Sequence, residues 1–476
     1  MTSEIARLIA SKILSSMNMA GISSVRCLCL AFSSLIISSS LIDGATGSAD
    51  GTKWSSYHGY KVIRTEPVPG VNFNFEDREI LLNKLDASDD HTKNVSIWKN
   101  SMATANIDLM VAPDHFKIVA SVLDEHNMPW RVMIPDVHER VKRQAESPMY
   151  SDEQQQYSST DEDNFLPDSF RLDEYHTVKE IYAWMEAMAK KHPTMMRTKD
   201  IGLSFEKRPL KIIIVDPGKA ARKIWIDGGI HAREWASIGV ATHFIDSLIY
   251  KYEEYKDVID RYQWHIMPVM NVDGYAYAKS TDRLWRKTRS MTDSVFGCRG
   301  VDANRNWNFR WRLGAKKDPC SGLYAGQYPE SEKCVQAVGK YVKTMSSMGN
   351  VVAFITLHSY GQLWMSPWGY ASLYPPNYEN LLAPVTNRKI SPASGSSDDW
   401  AFAVANIPFV YTVELRDTGE HGFLLPPDQI KPTGEEIFSG ILAAAEEISN
   451  ILDGDLLGPA KSNSSAENMD DPQEYD

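Results

Sequence analysis

From about residue 170 onward, apolar stretches alternate regularly with helical patterns. Apolar, β-branched runs occur as LKIIIVD at 210, KIWID at 223, WHIMPVMN at 264, VVAFITLH at 351 and FVYTVEL at 409. Between them, apolar residues recur at helical spacing over 177–191, 236–253, 330–346 and 433–452. Continuous apolar strands that alternate with helices predict an α/β fold with a mixed, mostly parallel sheet covered by helices on both faces. We expect this domain to span residues 170–452.

A smaller unit precedes this domain, and its apolar runs are shorter. Strand patterns occur as YKVIRTEP at 60, SIWKN at 96, NIDLMVA at 106 and WRVMIP at 130, with helical patterns at 75–88 and 113–126. The order strand, helix, two strands, helix, strand is that of a ferredoxin-like α+β domain. We place this domain at residues 56–141.

Polar segments follow both units. Residues 142–169 are poor in apolar residues and begin with the dibasic pair Lys142 and Arg143, so we expect an exposed linker that proteases cut. Residues 453–476 are acidic and carry a glycosylation sequon at Asn463. This composition is typical of a disordered tail.

The first 50 residues form a targeting region. One arginine precedes the apolar and serine-rich run CLCLAFSSLIISSSLI at 27–42, and small residues follow it. Serines interrupt the run and no stop-transfer flank follows, which favours a cleaved secretory signal over a spanning helix. A start at Met19 would give this signal a normal length, and an N-terminal anchor helix is the alternative. We therefore expect a secreted, extracellular protein without a membrane partner.

The net charge limits the possible classes of binding partner, and the cysteine count indicates the number of disulfides. The net charge of −12 argues against a nucleic-acid partner, because phosphate binding needs a basic face. Cys27 and Cys29 lie within the predicted signal, so Cys298, Cys320 and Cys334 remain afterwards. An odd number in an exported domain indicates one disulfide and one leftover thiol.

The stretch GGIHAREW at 228–235 suggests a metal site. His231 and Glu234 stand three residues apart, just beyond the predicted strand KIWID. Past the end of a strand, two such side chains can converge on one point in a crevice. Imidazole nitrogen and carboxylate oxygen are zinc ligands, and a catalytic zinc takes three protein ligands and leaves one position open for water.

A third ligand comes from a distant strand. His358 ends VVAFITLH, and Glu414 lies near the end of FVYTVEL. Because ligands collect beyond the carboxyl ends of the strands in an open α/β sheet, we expect both residues near His231. Most of the twelve histidines need no such role, and we interpret His265 as a satisfied core residue. Glu414 could instead be a capping or salt-bridged glutamate.

Five sequence blocks follow one another across the larger unit. They are YHTVKEI at 175, GGIHAREW at 228, NVDGYAYAKSTDRLWRKTRS at 271, GVDANRNW at 300, and ASGSSDDW with VELRDTGEHGFLLP from 393. In this order, and with charged residues matched within them, the blocks resemble the secreted zinc metallocarboxypeptidases of the carboxypeptidase A and B type. The unit before residue 141 resembles the inhibitory propeptide of that family through its order of elements.

The resemblance implies a catalytic set. His231, Glu234 and His358 match the family's ligands to one Zn²⁺ ion, a set suited to hydrolysis. Glu414 matches the catalytic carboxylate, which takes a proton from water and passes it to the leaving amine. Arg286 matches the residue that stabilises the tetrahedral oxyanion.

The resemblance also implies a substrate site. Asn304 and Arg305 match the pair that holds the C-terminal carboxylate of a peptide, which a planar guanidinium can grip through two parallel hydrogen bonds. Arg233 matches an outer arginine of the substrate channel, although it could equally be a solvated surface charge. We also assign Tyr360 and Phe423 to substrate binding.

The cysteines match the family's pattern, whereas one loop departs from it. Cys298 and Cys320 flank DANRNW as the family's disulfide does, which leaves Cys334 as a buried free thiol. Ser391 stands where the family has a tyrosine that folds over the substrate. The span from His358 to this loop is also shorter than in the family, so we expect a weakened substrate lid.

Asp398, in SGSSDDW, aligns with the base of the pocket for the C-terminal side chain. Carboxypeptidase B-like enzymes carry an acid at this position, and A-like enzymes carry an apolar residue. An aspartate there favours C-terminal Lys or Arg. Asp398 could also face away from the pocket if the shortened loop shifts the register.

Together these features predict a secreted zymogen that becomes a carboxypeptidase acting on peptide or protein C-termini. We expect a monomer, activated by a trypsin-like protease that cuts near Lys142 and Arg143 or within the linker. An A-like preference, or a zinc-bound protein that captures peptides without turnover, is the alternative. A zinc deacylase is a third possibility, against which Asn304, Arg305 and the propeptide argue.

Overall fold

The computed structural model describes residues 55–66, 94–100, 106–145, 170–313, 316–371, 373, 375, 381 and 394–454. They form a small domain (55–145) and a large domain (170–454), each with its own sheet. The targeting region, the predicted helix at 75–88, Ser391, and nearly all of the linker and the acidic tail lie outside the described residues. None of the helices in these ranges is long and apolar enough to cross a membrane.

The described strands of the small domain have the order of the predicted ferredoxin-like fold. Its elements are β1 (Lys61–Thr65), β2 (Val95–Asn100), β3 (Ile107–Val111), α1 (Phe116–Glu125), β4 (Trp130–Ile134) and α2 (Val137–Ala145). The strands are antiparallel in the order β2-β3-β1-β4. The amphipathic helix α1 buries Val119 and Leu123 in a separate core with Ile63 and Leu109 of the sheet.

Helix α2 extends past residue 141, where the sequence suggested that the linker begins. Lys142 and Arg143 therefore lie in a helix. Gln144, which follows Arg143 on this helix, anchors the helix to the large domain. Its Nε2 donates to Leu425 O at 3.0 Å, and its Oε1 accepts from Arg283 Nε at 2.6 Å.

The large domain contains a mixed sheet of seven strands among the described residues. They are β5 (Met196–Leu203), β6 (Pro209–Val215), β7 (Lys223–Gly228), β8 (Gln263–Met267), β9 (Val351–Ser359), β10 (Leu363–Met365) and β11 (Phe409–Leu415). The sheet order is β10-β11-β9-β7-β8-β6-β5. The four central strands run parallel, and the outer strands pair antiparallel at both edges.

Helices cover this sheet. They are α3 (Val178–Lys191), α4 (Trp235–Tyr250), α5 (Tyr252–Ile259), α6 (Val272–Ser280), α7 (Lys333–Ser346), α8 (Ser397–Ala403) and α9 (Ile430–Asp453). Every residue of β9 is buried, which requires protein on both faces of the sheet, as predicted. Helix α3 begins at a capping box in which Thr177 and Glu180 satisfy each other's backbone N–H groups.

The cysteines agree with the expectation drawn from the resemblance. Cys298 and Cys320 form a disulfide with a Cα–Cα distance of 5.1 Å. Cys334 lies on α7 as a buried free thiol. The disulfide closes the loop that contains the segment 300–307, so it restrains the residues that the resemblance assigns to carboxylate binding.

Candidate active site

Two of the predicted ligands lie in the turn that joins β7 to α4. Gly229 has a φ of +66°, and a Cβ at this position would lie 2.8 Å from the Ile238 side chain, so only glycine fits. The turn then places His231 next to Glu234, which directly precedes α4. His231 Nδ1 lies 2.7 Å from Glu234 Oε1.

The third ligand arrives from β9. His358 Nδ1 lies 3.0 Å from Glu234 Oε2, so both imidazole rings direct the same type of nitrogen toward one carboxylate. The ligand atoms of His231, Glu234 and His358 all lie within 4.8 Å of one another, and all three residues are buried. Burial by itself raises the pKa of Glu234, but the two imidazoles outweigh it, so the net pKa lies below its usual value. Two neutral nitrogens and one ionised carboxylate are the donor set of a catalytic zinc, and these residues fit that ion.

Asp302 orients both His231 and Arg286, and no sequence pattern pointed to it. Its Oδ1 lies 3.1 Å from His231 Nε2, which fixes the tautomer that leaves Nδ1 free for a metal. Its Oδ2 accepts from Arg286 NH2 at 2.8 Å. Although burial raises the pKa of Asp302, Arg286 and His231 hold it well below its usual value. Asp302 stands inside the block GVDANRNW, two residues before Asn304.

Arg286 faces the same centre. Its NH1 lies 3.9 Å from Glu234 Oε1, and its guanidinium is oriented by Asp302. A guanidinium fixed before the reaction can stabilise negative charge that develops beside the metal ligands.

Glu414 lies on β11, directly opposite His358 of β9 in the parallel pairing. Its Oε2 is buried and has no hydrogen-bond partner among the described residues. Burial raises the pKa of Glu414 to about 7, and the His358 ring acts in the opposite direction. A buried carboxylate with a raised pKa can accept a proton near neutral pH.

The predicted carboxylate-binding pair lies on a short 3₁₀ helix, Ala303–Arg305, which follows Asp302. Asn304 Oδ1 accepts from the backbone N–H of Ser397 at 2.9 Å, so its amide nitrogen remains available for another acceptor. Arg305 NH1 donates to Asn304 O at 2.8 Å. Asn304 thus contacts the first residue of helix α8, while Asp302, just before the 3₁₀ helix, contacts His231.

Sequence profiles of known families match both domains. A profile described as zinc carboxypeptidase matches residues 181–387 and 383–440, and one described as carboxypeptidase activation peptide matches residues 73–144. The chain belongs to the zinc carboxypeptidase family. It is a metallocarboxypeptidase with a zinc site, and its activation peptide makes it a zymogen.

Named relatives agree with this assignment. The chain is 41% identical over 297 residues to carboxypeptidase B of Astacus astacus, which covers 58% of this chain and 97% of that protein. It is 35% identical over 378 residues to carboxypeptidase A1 of Mus musculus, which covers 74% of this chain and 87% of that protein.

Solved structures resemble both domains together. The crystal structure of thrombin activatable fibrinolysis inhibitor superposes with a TM-score of 0.68 at 29% identity, covering 82% of this chain and 99% of that one. Carboxypeptidase A from Helicoverpa armigera superposes with a TM-score of 0.71 at 22% identity, covering 84% and 99%, and supports the fold alone.

In this zymogen the activation domain contacts three of the residues assigned to substrate binding, namely Arg233, Tyr360 and Phe423. Trp98 of β2 packs on Phe423 with ring centroids 5.1 Å apart, and Tyr360 meets Phe423 edge-on at the same distance. Arg233 is 5% exposed; its guanidinium lies over the Phe423 ring and donates to Ile97 O at 3.3 Å. Arg233 is therefore not a solvated surface charge in the zymogen.

An ion pair of the activation domain also holds Tyr360. Asp108 accepts two hydrogen bonds of 2.6 Å from Arg64 and one of 2.7 Å from the Tyr360 hydroxyl. Arg64 in turn donates to Thr418 O at 2.7 Å. A small cavity lies beside Arg286, and Ser96 and Met110 of the activation domain are among the residues that line it.

The two consecutive aspartates of α8 have different environments. Asp399 is fully buried and accepts from the Gly369 backbone N–H. Asp398 is half-buried, its Oδ2 accepts from Thr412 Oγ1 at 3.2 Å, and it forms no ion pair within 4.0 Å in the part of the chain that the structure describes. Asp398 thus remains the candidate for contact with a substrate side chain.

His265 is confirmed as a core residue. It is 3% exposed, and its Nδ1 lies 3.0 Å from the Tyr341 hydroxyl.

Proposed function

We propose that the protein is a secreted zymogen which, after cleavage of its activation peptide, removes C-terminal residues from peptides with a preference for Lys and Arg. The observation that carries this proposal is the convergence of His231, Glu234 and His358 on one point, with Glu414 beside His358. This arrangement supports hydrolysis next to a metal, and Asn304 and Arg305 give it an exopeptidase geometry.

Three groups would carry the chemistry. When bound, a zinc ion at these ligands supplies a Lewis acid and lowers the pKa of water. Glu414 accepts a proton from the attacking water and then donates it to the leaving amine, and burial favours this second step because it raises the pKa of the carboxyl. Arg286 stabilises the negative charge on the carbonyl oxygen of the scissile bond.

Substrate orientation would come from the neighbouring polar residues. Arg305 and the amide nitrogen of Asn304 hold the terminal carboxylate, so only the last peptide bond reaches Glu414. This placement restricts cleavage to chain ends.

Asp398 would select the side chain of the C-terminal residue. It forms no ion pair within 4.0 Å among the described residues, and we propose that a substrate cation pairs with it. The relative from Astacus astacus carries the name carboxypeptidase B, the type in which an acid occupies this position. By the resemblance, the shortened segment before Ser394 borders the pocket for the C-terminal side chain, and it lies outside the described residues. A preference for apolar C-terminal residues, as in A-like enzymes, is therefore the competing outcome.

Export and activation complete the proposal. The serine-rich apolar run at 27–42 supports a secretory signal, and the disulfide Cys298–Cys320 suits an oxidising compartment.

Residues 144–170 contain no Lys or Arg, so Lys142 and Arg143 are the sites for a trypsin-like protease ahead of Arg171. We propose a monomer, because one chain supplies every residue of the site.

The experiment that tests this function is a matched substrate panel. The purified full chain is treated with trypsin and then incubated with N-blocked peptides that differ only in a final Lys, Arg, Phe or Leu. We expect release of Lys and Arg to be fastest and a chelator to abolish all release. Faster release of Phe and Leu would establish the A-like preference, and bound peptide without release would establish a binding protein.

A further inference from the structure

The activation domain contains one of the two tripeptides in the chain that match the acceptor sequence for N-glycosylation, Asn-X-Ser or Asn-X-Thr. The tripeptides are Asn94-Val95-Ser96 and Asn463-Ser464-Ser465. The second lies in the acidic tail, outside the described residues. Residues 170–452 contain no such tripeptide, so the catalytic domain offers no acceptor asparagine.

Asn94 lies directly before β2 and is exposed to solvent in the docked zymogen. Its carbonyl oxygen accepts from the Ala112 N–H at 2.8 Å, and the next residue, Val95, pairs with Val111 of β3. The backbone at this position is therefore fixed by the sheet. An exposed asparagine on such a backbone can carry a bulky, solvated sugar chain.

The contacts of β2 with the catalytic domain lie further along the strand. Trp98 packs on Phe423, and Ile97 O accepts from Arg233. Trp98 is four residues beyond Asn94, which corresponds to about 13 Å at the rise of a β-strand. A glycan on Asn94 is thus compatible with the docked arrangement of the two domains.

The other two residues of the tripeptide are buried once the chain has folded. Val95 is 5% exposed and belongs to the core of the small domain. Ser96 is also 5% exposed and lines the small cavity beside Arg286. Because the acceptor sequence requires the hydroxyl residue as well as the asparagine, sugar transfer needs this segment before it folds.

We propose that Asn94 carries an N-linked oligosaccharide, which is attached before the activation domain docks and which leaves with that domain on activation. In the transfer, the Asn94 amide nitrogen forms a bond to C1 of the first sugar of a lipid-linked oligosaccharide. The bond from that carbon to the lipid diphosphate breaks, and the diphosphate takes the proton that the amide loses. This inference rests on the proposed function, because attachment requires an exported chain.

The test is expression of the full chain in a cell line that exports proteins, followed by digestion of the secreted zymogen with a peptide-N-glycosidase. All chains carry Asn463→Gln, so that the shift in electrophoretic mass reports Asn94 alone. We expect the zymogen to lose the mass of one glycan and Asn94 to become aspartate, which mass spectrometry detects. Secreted zymogen whose mass does not change would overturn the proposal.

Matched variants separate the acceptor sequence from the fold. Asn94→Gln and Ser96→Ala should both abolish the shift, whereas Ser96→Thr should retain it, because threonine keeps the acceptor sequence. Asn100→Gln, in the same strand but outside an acceptor sequence, is the control and should also retain the shift. A shift that persists in Asn94→Gln places the glycan elsewhere and contradicts the assignment.

Activation should separate the glycan from the catalytic domain. After trypsin treatment of the Asn463→Gln chain, only the fragment that contains residue 94 should respond to the glycosidase, since no acceptor sequence lies between residues 144 and 462. A catalytic fragment that loses mass in this digestion contradicts the proposal.

The order of attachment and folding has its own measurement. Folded zymogen without sugar, made in the bacterial periplasm, and a synthetic peptide of residues 91–99 are each incubated with oligosaccharyltransferase and a lipid-linked oligosaccharide. We expect the peptide to be modified and the folded chain to remain unmodified. Equal modification of both would show that attachment does not have to precede folding.

Failure of the proposed export gives a different result from failure of the glycan site. A chain that stays inside the cell without sugar, yet releases C-terminal residues after trypsin treatment, overturns both export and the glycan while leaving the hydrolase intact. A secreted chain without sugar at Asn94 overturns the glycan alone.

Discussion

Glu414 lies directly opposite His358 in the parallel pairing of β11 with β9. The proposed base and one metal ligand are therefore placed by the hydrogen bonds of a buried sheet rather than by a loop. Asp227 adds to this rigidity, because its Oδ1 accepts from Thr356 Oγ1 at 2.8 Å and so ties β7 to β9 just below the site. Positions fixed in this way are suited to a reaction that depends on short, directed contacts.

Replacing the proposed base should separate catalysis from metal binding. In Glu414→Gln the side chain keeps its size but cannot accept a proton, so we expect kcat to fall by roughly 10²- to 10⁴-fold. Zinc content should stay at one ion per chain, because Glu414 is not among the three converging ligands. Glu435→Gln, at an exposed position of α9, serves as the control. Full turnover in the Glu414 variant would remove this residue from the mechanism.

The residue behind the ligands should control metal affinity. Asp302→Asn weakens the hydrogen bond that orients His231, and we expect zinc to bind about 10- to 100-fold more weakly. Competition with a chelating dye measures this change in the full chain. Asp257→Asn, on the exposed side of α5, should leave the affinity unchanged. The role assigned to Asp302 fails if both variants bind zinc equally.

The two aspartates of α8 should respond differently to substitution. Asp398→Ile should shift the ratio of kcat/KM values from Lys and Arg ends toward Leu and Phe ends, because this variant loses the carboxylate that we propose pairs with a basic C-terminal residue. Asp399→Asn should instead lower thermal stability with little change in that ratio, since Asp399 is buried and accepts from Gly369 N–H. An unchanged ratio in Asp398→Ile would contradict the proposed specificity.

Acid should destabilise the large domain through buried histidines. Burial lowers the pKa of His265 to about 3 and that of His243 to about 4, from a usual value of 6.5. Between pH 6.5 and 4 the unfolded chain binds protons that the folded chain excludes. The free energy of unfolding therefore decreases as the pH falls through this range, by at most ~1.4 kcal/mol per pH unit for each histidine.

Urea unfolding at several pH values measures this slope. His265→Gln keeps a hydrogen-bonding side chain that does not titrate, so its slope should be shallower than that of the unmodified chain. His58→Gln, at an exposed position, is the control. A slope that stays the same in His265→Gln would mean that another group causes the acid sensitivity.

The central strands and the principal helices could be predicted because their apolar patterns are strong. The runs that became β7, β9 and β11 are almost entirely buried, and burial is what selects apolar side chains there. The edge strand β5 was missed, because it alternates buried and exposed residues weakly and includes Arg197, Lys199 and Asp200. β10 is only three residues long and takes its conformation from pairing with β11.

The candidate site was predictable where the chemistry is local and not where it depends on three-dimensional contacts. His231 and Glu234 stand close in sequence, and His358 ends a strand, so pattern and resemblance both point to them. Asp302 carries no such signal, because its role appears only when His231 and Arg286 meet it in space.

The most direct test of the central claim is an anomalous diffraction map recorded at the zinc absorption edge from crystals of the protein grown with zinc. The account predicts a single strong peak between His231 Nδ1, His358 Nδ1 and the Glu234 carboxylate, about 2.0–2.2 Å from each ligand atom. A map with no peak there, from protein that hydrolyses peptides at its full rate, would contradict it.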